Sequence, residues 1–226
     1  MCKTLKAFSV RALRAIFFDL DGTLVNTDVL HYEIFSSLLK KKYDKKLTVE
    51  DYKKDISGKH NKDIVSFILP DVDKEEAKSF IELKESLFRN KLDKLQPLPG
   101  LKLFLEAARN KNIAMACVTN APRKNAETLL QILTVADYFD LLVIGDELKF
   151  AKPHPLPYLS ALSHFQLEAE EALVFEDSPS GIKAAIAAQI TTIGVATSLD
   201  EEALMKLGVS FAIKDYTDFR LYKLLE

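Results

Sequence analysis

The sequence predicts an α/β fold: a parallel sheet with helices on both faces, plus an inserted helical cap domain. Three observations predict it. Short apolar runs alternate with amphipathic helical stretches, polar residues gather at the carboxyl ends of those runs, and the interval from about residue 28 to residue 94 shows helical patterns without a convincing strand.

The first run, AIFFD (15–19), reads as a buried strand ending in a carboxylate. IAMACVTN (113–120), LLVIG (141–145), ALVFED (172–177) and TTIGV (191–195) read the same way. They are β-branched or aromatic and too short for helices. Helical patterns lie between them at about residues 100–110, 122–133, 156–166 and 180–188. Such alternation predicts a parallel sheet of about five main strands, whose chemistry gathers at the strands' carboxyl ends. Asp19, Thr119, Glu176 and Asp177 stand at those ends.

The strandless interval has Lys-rich helical faces, as in LLKKKYDKK (38–46), and a long helical run from Lys74 to Lys94. DGTLVNT (21–27) opens it and QPLPG (96–100) closes it, because prolines there cannot continue a helix. The chain thus divides into an N-terminal extension (1–14), a catalytic core (15–27 and 97–226) and a helical cap (28–96). A helical insert on two short connectors, facing the strand ends, is a candidate lid.

Composition narrows the function. The 226 residues suffice for one sizeable core with a small insert. With 31 Lys plus Arg against 33 Asp plus Glu, the formal net charge is −2, which gives no electrostatic case for nucleic acid or a membrane as partner. No apolar stretch approaches the length that spans a bilayer. Cys2 and Cys117 make no disulfide framework, so a reducing, cytoplasmic location is the expectation. The first residues carry Lys3, Lys6, Arg11 and Arg14 and no acid. They fit a frayed basic extension or the remnant of an organelle-targeting segment.

Four motifs carry chemistry. In FFDLDGTLVNTD (17–28) a strand delivers Asp19 and Asp21, two residues apart, into one turn. A plain Asp-Gly turn would look the same in isolation. In CVTNAPRKN (117–125), Thr119 and Asn120 precede a helix that starts at Pro122; they fit a helix cap or a holder of phosphate oxygens. In FAKPHPLPY (150–158), prolines stiffen the loop that carries Lys152. In VFEDSPSGIKAA (174–185), Glu176 and Asp177 end a strand before a helix, and hard carboxylate oxygens there suit Mg²⁺. Asp177 or Ser178 also fits a helix cap.

Taken in order, these motifs resemble the haloacid dehalogenase superfamily over nearly the whole chain from about Ala15. The resemblance implies a Rossmann-like sheet, a mobile cap and an aspartyl-phosphate intermediate. It implies Asp19 as nucleophile and Asp21 as general acid/base, with Thr119, Asn120 and Lys152 on the phosphate. It implies Mg²⁺ held by Asp19, the Asp21 backbone carbonyl and Asp177, with Glu176 as a further ligand or a group behind the ligands. Physics agrees with the charge pattern. A phosphate dianion at 4 Å from an attacking carboxylate costs about 8 kcal/mol at an effective dielectric of 20, so positive charge must compensate. Haloacid dehalogenases lack the second Asp and the metal, which disfavours dehalogenation.

Within that superfamily the sequence resembles the subgroup of β-phosphoglucomutases, broad-range sugar phosphatases and phosphoglycolate phosphatases. VTNAPRKNAE, KPHPLPYLSAL, VFEDSPSGIKA and SGKHNKDI (57–64) look like the plant-type sugar phosphatases. On that resemblance Lys59 and His60 read the leaving group or its hydroxyls; a Gly-ended helical connection accounts for the same residues structurally. Thr27 and His31 match the hinge-side Thr and His of β-phosphoglucomutases, and His31 also fits an interfacial position on the first cap helix. Two departures favour hydrolysis. Asn61 stands where the mutase cap loop has an Arg that grips a second phosphate, and Thr23 where the mutase has a bulky aliphatic residue. The expectation is a monomer that hydrolyses small sugar or polyol phosphates with Mg²⁺. The alternatives are mutase-type transfer, phosphoglycolate hydrolysis, or a non-catalytic binding protein on the same scaffold.

Overall fold

The structure, a computed structural model, describes residues 13–57, 59 and 61–225, with Lys53 by its backbone alone. Residues 1–12 of the expected basic extension, the cap-loop residue His60 and the final Glu226 lie outside the described residues.

Strand β1 (Ala15–Phe18) lies between β2 (Ala114–Thr119) and β4 (Ala172–Glu176). Beyond β2 lies β3 (Leu141–Ile144); beyond β4 lie β5 (Thr191–Val195) and β6 (Phe211–Ile213). Every pairing is parallel and the order is β3-β2-β1-β4-β5-β6. Strands covered on both faces need apolar side chains at every position, which is why these runs do not alternate with polar residues. In β1, Ala15 and Phe17 face α7 (Leu156–Phe165) and α8 (Pro179–Ala187), packing with Tyr158, Ala161 and Ala184. Ile16 and Phe18 face α5 (Leu101–Asn110) and α6 (Arg123–Ile132), packing with Phe104, Leu105 and Leu129.

Five strands coincide with the sequence reading; β6 is an addition, as is the helix α9 (Glu201–Lys206) before it. Three residues, with Ala212 between Phe211 and Ile213, are too short a run to stand out by periodicity.

Between β1 and α5 the described residues form α1 (Asp28–Tyr43), α2 (Val49–Asp55), α3 (Asn61–Ile68), α4 (Lys74–Arg89) and a short 3₁₀ turn, Leu92–Lys94, with no strand. Local signals start them. Thr48 and Asp51 form a capping box at α2, and the Asp73 carboxylate accepts the Glu76 N–H at α4. Phe80, Lys84 and Phe88 recur at i, i+4 on the buried stripe of α4, which packs against α1 and α3. Among the described residues no helix is long and apolar enough to cross a membrane.

The strand order reverses at β1, whose neighbours lie on opposite sides. That topology opens a crevice at the carboxyl ends of β1, β2 and β4.

Phe18 stacks on Phe175 at 5.1 Å between ring centroids and meets Phe104 edge-on at 6.3 Å. Phe18→Ala should therefore cost about 3–5 kcal/mol in denaturant unfolding. Phe219→Ala, at a residue 69% exposed, should stay within about 0.5 kcal/mol. Equal losses would contradict this core.

Candidate active site

One ammonium group organises the crevice. The Lys152 Nζ donates to Asp19 Oδ1 at 2.6 Å, to Glu176 Oε1 at 2.8 Å and to the Val118 carbonyl at 2.6 Å. All three of its protons are thereby used, and it lies 4.9 Å over the Tyr158 ring. Its backbone is held too. The Asn120 amide accepts the Lys152 N–H and donates to the Lys152 carbonyl, both at 3.1 Å. Burial pushes the ammonium down, but Asp19 and Glu176 outweigh it and hold Lys152 well above its ordinary range.

Three carboxylates, Asp19, Glu176 and Asp177, offer oxygens within 4.8 Å of one another, and all are buried. Close approach requires glycine at two places. A Cβ on Gly22, where φ is +84°, would fall 2.1 Å from Asp177 Oδ2, and one on Gly181 would fall 1.5 Å from Glu176 Oε1. Glu176 is saturated. Its Oε1 accepts from Lys152 and from the Tyr158 hydroxyl (3.1 Å), and its Oε2 from the Asp177 and Ser178 N–H groups and the Ser178 hydroxyl. Asp177 Oδ1 accepts from the Thr23 hydroxyl at 3.1 Å, and Ser198 Oγ reaches its Oδ2.

The Asp21 Oδ1 accepts from the Thr27 hydroxyl at 2.7 Å and lies 3.6 Å from His31 Nε2. Burial pushes its carboxyl up, but His31, Thr27 and Lys84 outweigh that and hold it below the ordinary range. Asp21 therefore stands here as a carboxylate, ready to take a proton. His31 stacks on Phe88 at 4.1 Å, and its Nδ1 is buried without a partner among the described residues.

The carboxylates fit a divalent cation. Burial, with the charges of Glu176 and Asp21, raises Asp19 to about 8 even against Lys152. Burial, with Glu176 and Asp19 close by, pushes Asp177 well up. One ammonium does not balance these acids, and their hard oxygens suit Mg²⁺. Asp19 and Asp177 have acceptor capacity to hold it, whereas Glu176 has none left and stands behind Lys152.

The other expected site residues are placed as follows. Thr119 accepts the Ala121 N–H at 2.9 Å and lines the pocket with Asn120, Asn61, Lys59 and His31. Lys59 lies 5.5 Å over the Phe67 ring. Asn61 does not point freely into the pocket; it donates to Glu85 Oε1 at 2.7 Å. Sequence reasoning missed Tyr158, Ser198, Lys84, Glu85 and Asn125, all of which hold or line the site. Only Lys84 had a legible signal: it sits between Phe80 and Phe88 at helical spacing.

Residues 16–219 match the model of a family described as haloacid dehalogenase-like hydrolase. The chain is 33% identical over 215 residues to the phosphorylated carbohydrates phosphatase of Thermotoga maritima, covering 89% of this chain and 94% of that protein. It is 30% identical over 217 residues to the validoxylamine A 7'-phosphate phosphatase of Streptomyces hygroscopicus subsp. limoneus, covering 92% and 96% respectively. The crystal structure of a family IA, variant 3 hydrolase from Entamoeba histolytica matches with a TM-score of 0.85 at 27% identity, over 94% of this chain and 99% of that one.

The raised Asp19 carboxyl makes a pH prediction whose sign is definite. An acid with a higher folded than unfolded pKa binds extra protons when folded, so its stability contribution falls as pH rises. In a chelating buffer, thermal stability should decline from the ordinary carboxylate range up to about pH 8. Mg²⁺ at about a hundred times its Kd at pH 8 should add about 2.7 kcal/mol there, roughly 5–10 °C in Tm, and the same concentration should add less at pH 6. Melts insensitive to Mg²⁺ at pH 8 would sink the metal assignment.

Proposed function

Because the chain belongs to the haloacid dehalogenase-like hydrolase family and is a phosphatase, we propose that it hydrolyses small sugar or polyol phosphates through an aspartyl-phosphate intermediate, acting as a monomer with Mg²⁺. The observation that carries this reading is the Asp19–Lys152 contact at 2.6 Å, with Asp21 two residues on and facing the same pocket. In the first step an Asp19 oxygen attacks phosphorus, the bond to the leaving oxygen breaks, and Asp21, which takes up a proton when the anionic ester enters beside it, gives that proton to the leaving oxygen. In the second step water attacks the phosphorus of the aspartyl phosphate. Asp21, now a carboxylate, takes the water's proton, and the bond to Asp19 breaks. Lys152 orients Asp19 and offsets phosphate charge, while Thr119 lies placed for a phosphate oxygen. Mg²⁺, held by Asp19 and Asp177, would supply the remaining positive charge. The helical segment 28–96 serves as the lid of this pocket, with Lys59 at its loop.

A mutase reading draws on one observation, the engagement of Asp21 by Thr27 and His31. The two readings separate on β-glucose 1-phosphate with a trace of the 1,6-bisphosphate. A mutase yields glucose 6-phosphate and little free phosphate; the phosphatase releases phosphate steadily from that sugar and from glycerol phosphate.

Asp19→Asn should abolish phosphate release. Asp21→Asn should lower kcat by about a hundred- to ten-thousand-fold with KM nearly unchanged. A loss confined to KM would make Asp21 a positioning residue, and near-normal turnover by Asp19→Asn would remove it as the nucleophile.

A further inference from the structure

The pocket wall holds a second charged pair that the hydrolysis steps leave unused. Lys84 and Glu85 adjoin on α4, yet they are 4% and 5% exposed. Lys84 Nζ donates to Glu85 Oε1 at 2.7 Å and lies 5.0 Å and 5.7 Å over the Phe35 and Phe88 rings. Asn61 Nδ2 donates to the same oxygen at 2.7 Å. From α6, Asn125 Nδ2 donates to Glu85 Oε2. Arg89 Nη1 donates to Asn125 Oδ1 at 2.8 Å, which turns the amide's NH₂ toward Glu85. A carboxylate offers about four acceptor positions. Among the described residues three are filled, and one on Oε2 is open. Burial pushes the Glu85 carboxyl up, but Lys84, His31 and Asn61 outweigh it and keep it below the ordinary range, so it is ionised at neutral pH. Burying such a pair adds little or nothing to stability compared with apolar side chains. A role toward a ligand accounts for it better.

The location of the pair gives that role. Lys84, Glu85, Asn61 and Asn125 line the same cavity as Asp19, Thr119 and Lys152. One turn along α4, Phe88 stacks on His31, the residue 3.6 Å from Asp21. The pair therefore stands beside the group that protonates the leaving oxygen. The cations at this end are committed, Lys84 to Glu85 and Arg89 to Asn125. Among the described residues, the lysines without a carboxylate partner near the cleft are Lys54, Lys59 and Lys183. They line an adjoining cavity of about 290 Å³, on the side of Ser178 and Ser198, which includes none of the Glu85 network; Lys59 alone of the three also lines the cavity of Glu85. Among the described residues, a leaving group held at Glu85 thus meets an ionised carboxylate with an open acceptor position, and the one lysine without a carboxylate partner that lines the same cavity is Lys59, which stands over the Phe67 ring.

Resting on the phosphatase reading of the same site, we infer that Glu85 sets the charge class of the leaving group. The pocket takes phosphomonoesters whose leaving group is uncharged and carries a hydroxyl that donates to Glu85, and it turns away esters bearing a second phosphate or a carboxylate. A unit negative charge about 6 Å from another lowers occupancy roughly a hundredfold at an effective dielectric of 20. Lys84 beside Glu85, and Lys59 in the same cavity, reduce this, so discrimination of about ten- to a hundredfold is expected.

The test measures phosphate release in saturating Mg²⁺ from two matched pairs: glycerol phosphate against phosphoglycolate, and fructose 1-phosphate against fructose 1,6-bisphosphate. Wild-type kcat/KM should favour the first member of each pair by about ten- to a hundredfold. Glu85→Gln should shrink that ratio about tenfold, chiefly by lowering KM for the charged member. A wild-type ratio near one overturns the inference while leaving the phosphatase reading standing, and it requires no variant, so a poorly folding Glu85→Gln does not blunt the test. An unchanged ratio in a Glu85→Gln that melts like wild type also overturns it. Absence of phosphate release from every ester overturns the phosphatase reading itself, and the inference with it.

Discussion

The buried ammonium of Lys152 is the constraint around which the catalytic end of the molecule is arranged. Asp19, Asp21, Glu176 and Asp177 converge on a crevice where water is largely excluded, and a buried charge is tolerated only when paired. Lys152 answers two of these acids and the Val118 carbonyl with its three protons. That three-way arrangement suits a compact ammonium, not the planar fork of an arginine. It also demands that β1, β2 and β4 be neighbours, since each contributes one acceptor at or just past its end. The reversal of strand order at β1 meets that demand directly.

The fold was largely legible because its signals are local. Five apolar runs, their polar ends, and the prolines and glycines around the helical interval are properties of neighbouring residues. β6 was not legible, since Phe211–Ile213 is held by its pairing with β5 rather than by its own pattern. The acids and Lys152 were legible because they stand at strand ends or in a proline-rich loop. Ser198, Tyr158 and Asn125 were not. Their parts in the site come from residues far along the chain, and a lone Ser, Tyr or Asn carries no sign of that. Glu85 is one of many charges on a Lys- and Glu-rich helix, and only the tertiary approach of α3 and α6 to α4 encloses it, through Asn61 and Asn125.

The charges of the cleft are unevenly distributed. Lys54, Lys59 and Lys183 gather beside Ser178 and Ser198, while Glu85 closes the region near Asp21 with its donors around it. A doubly charged head and an uncharged tail would be oriented by such a field before any single hydrogen bond forms. Under the proposed hydrolysis, orientation of that kind would bring the ester oxygen toward Asp21 and phosphorus toward Asp19.

Ser198 has a consequence of a different kind. Its one hydroxyl proton lies within reach of Asp177 Oδ2 and, at 3.2 Å, of Asp28 Oδ2 at the start of α1. Asp28 in turn accepts from Tyr52 and from Ser57 in the loop after α2. A single proton shared between two carboxylates binds each more weakly than it would bind one alone, so the two acids compete for it. When Asp177 turns to another partner, the proton is released to Asp28 and tightens the helical segment's hold on the core. When Asp28 is drawn away, Asp177 recovers it. Thermodynamic linkage makes the two couplings equal in size, so the helical segment and the acid cluster report on each other through one hydrogen atom.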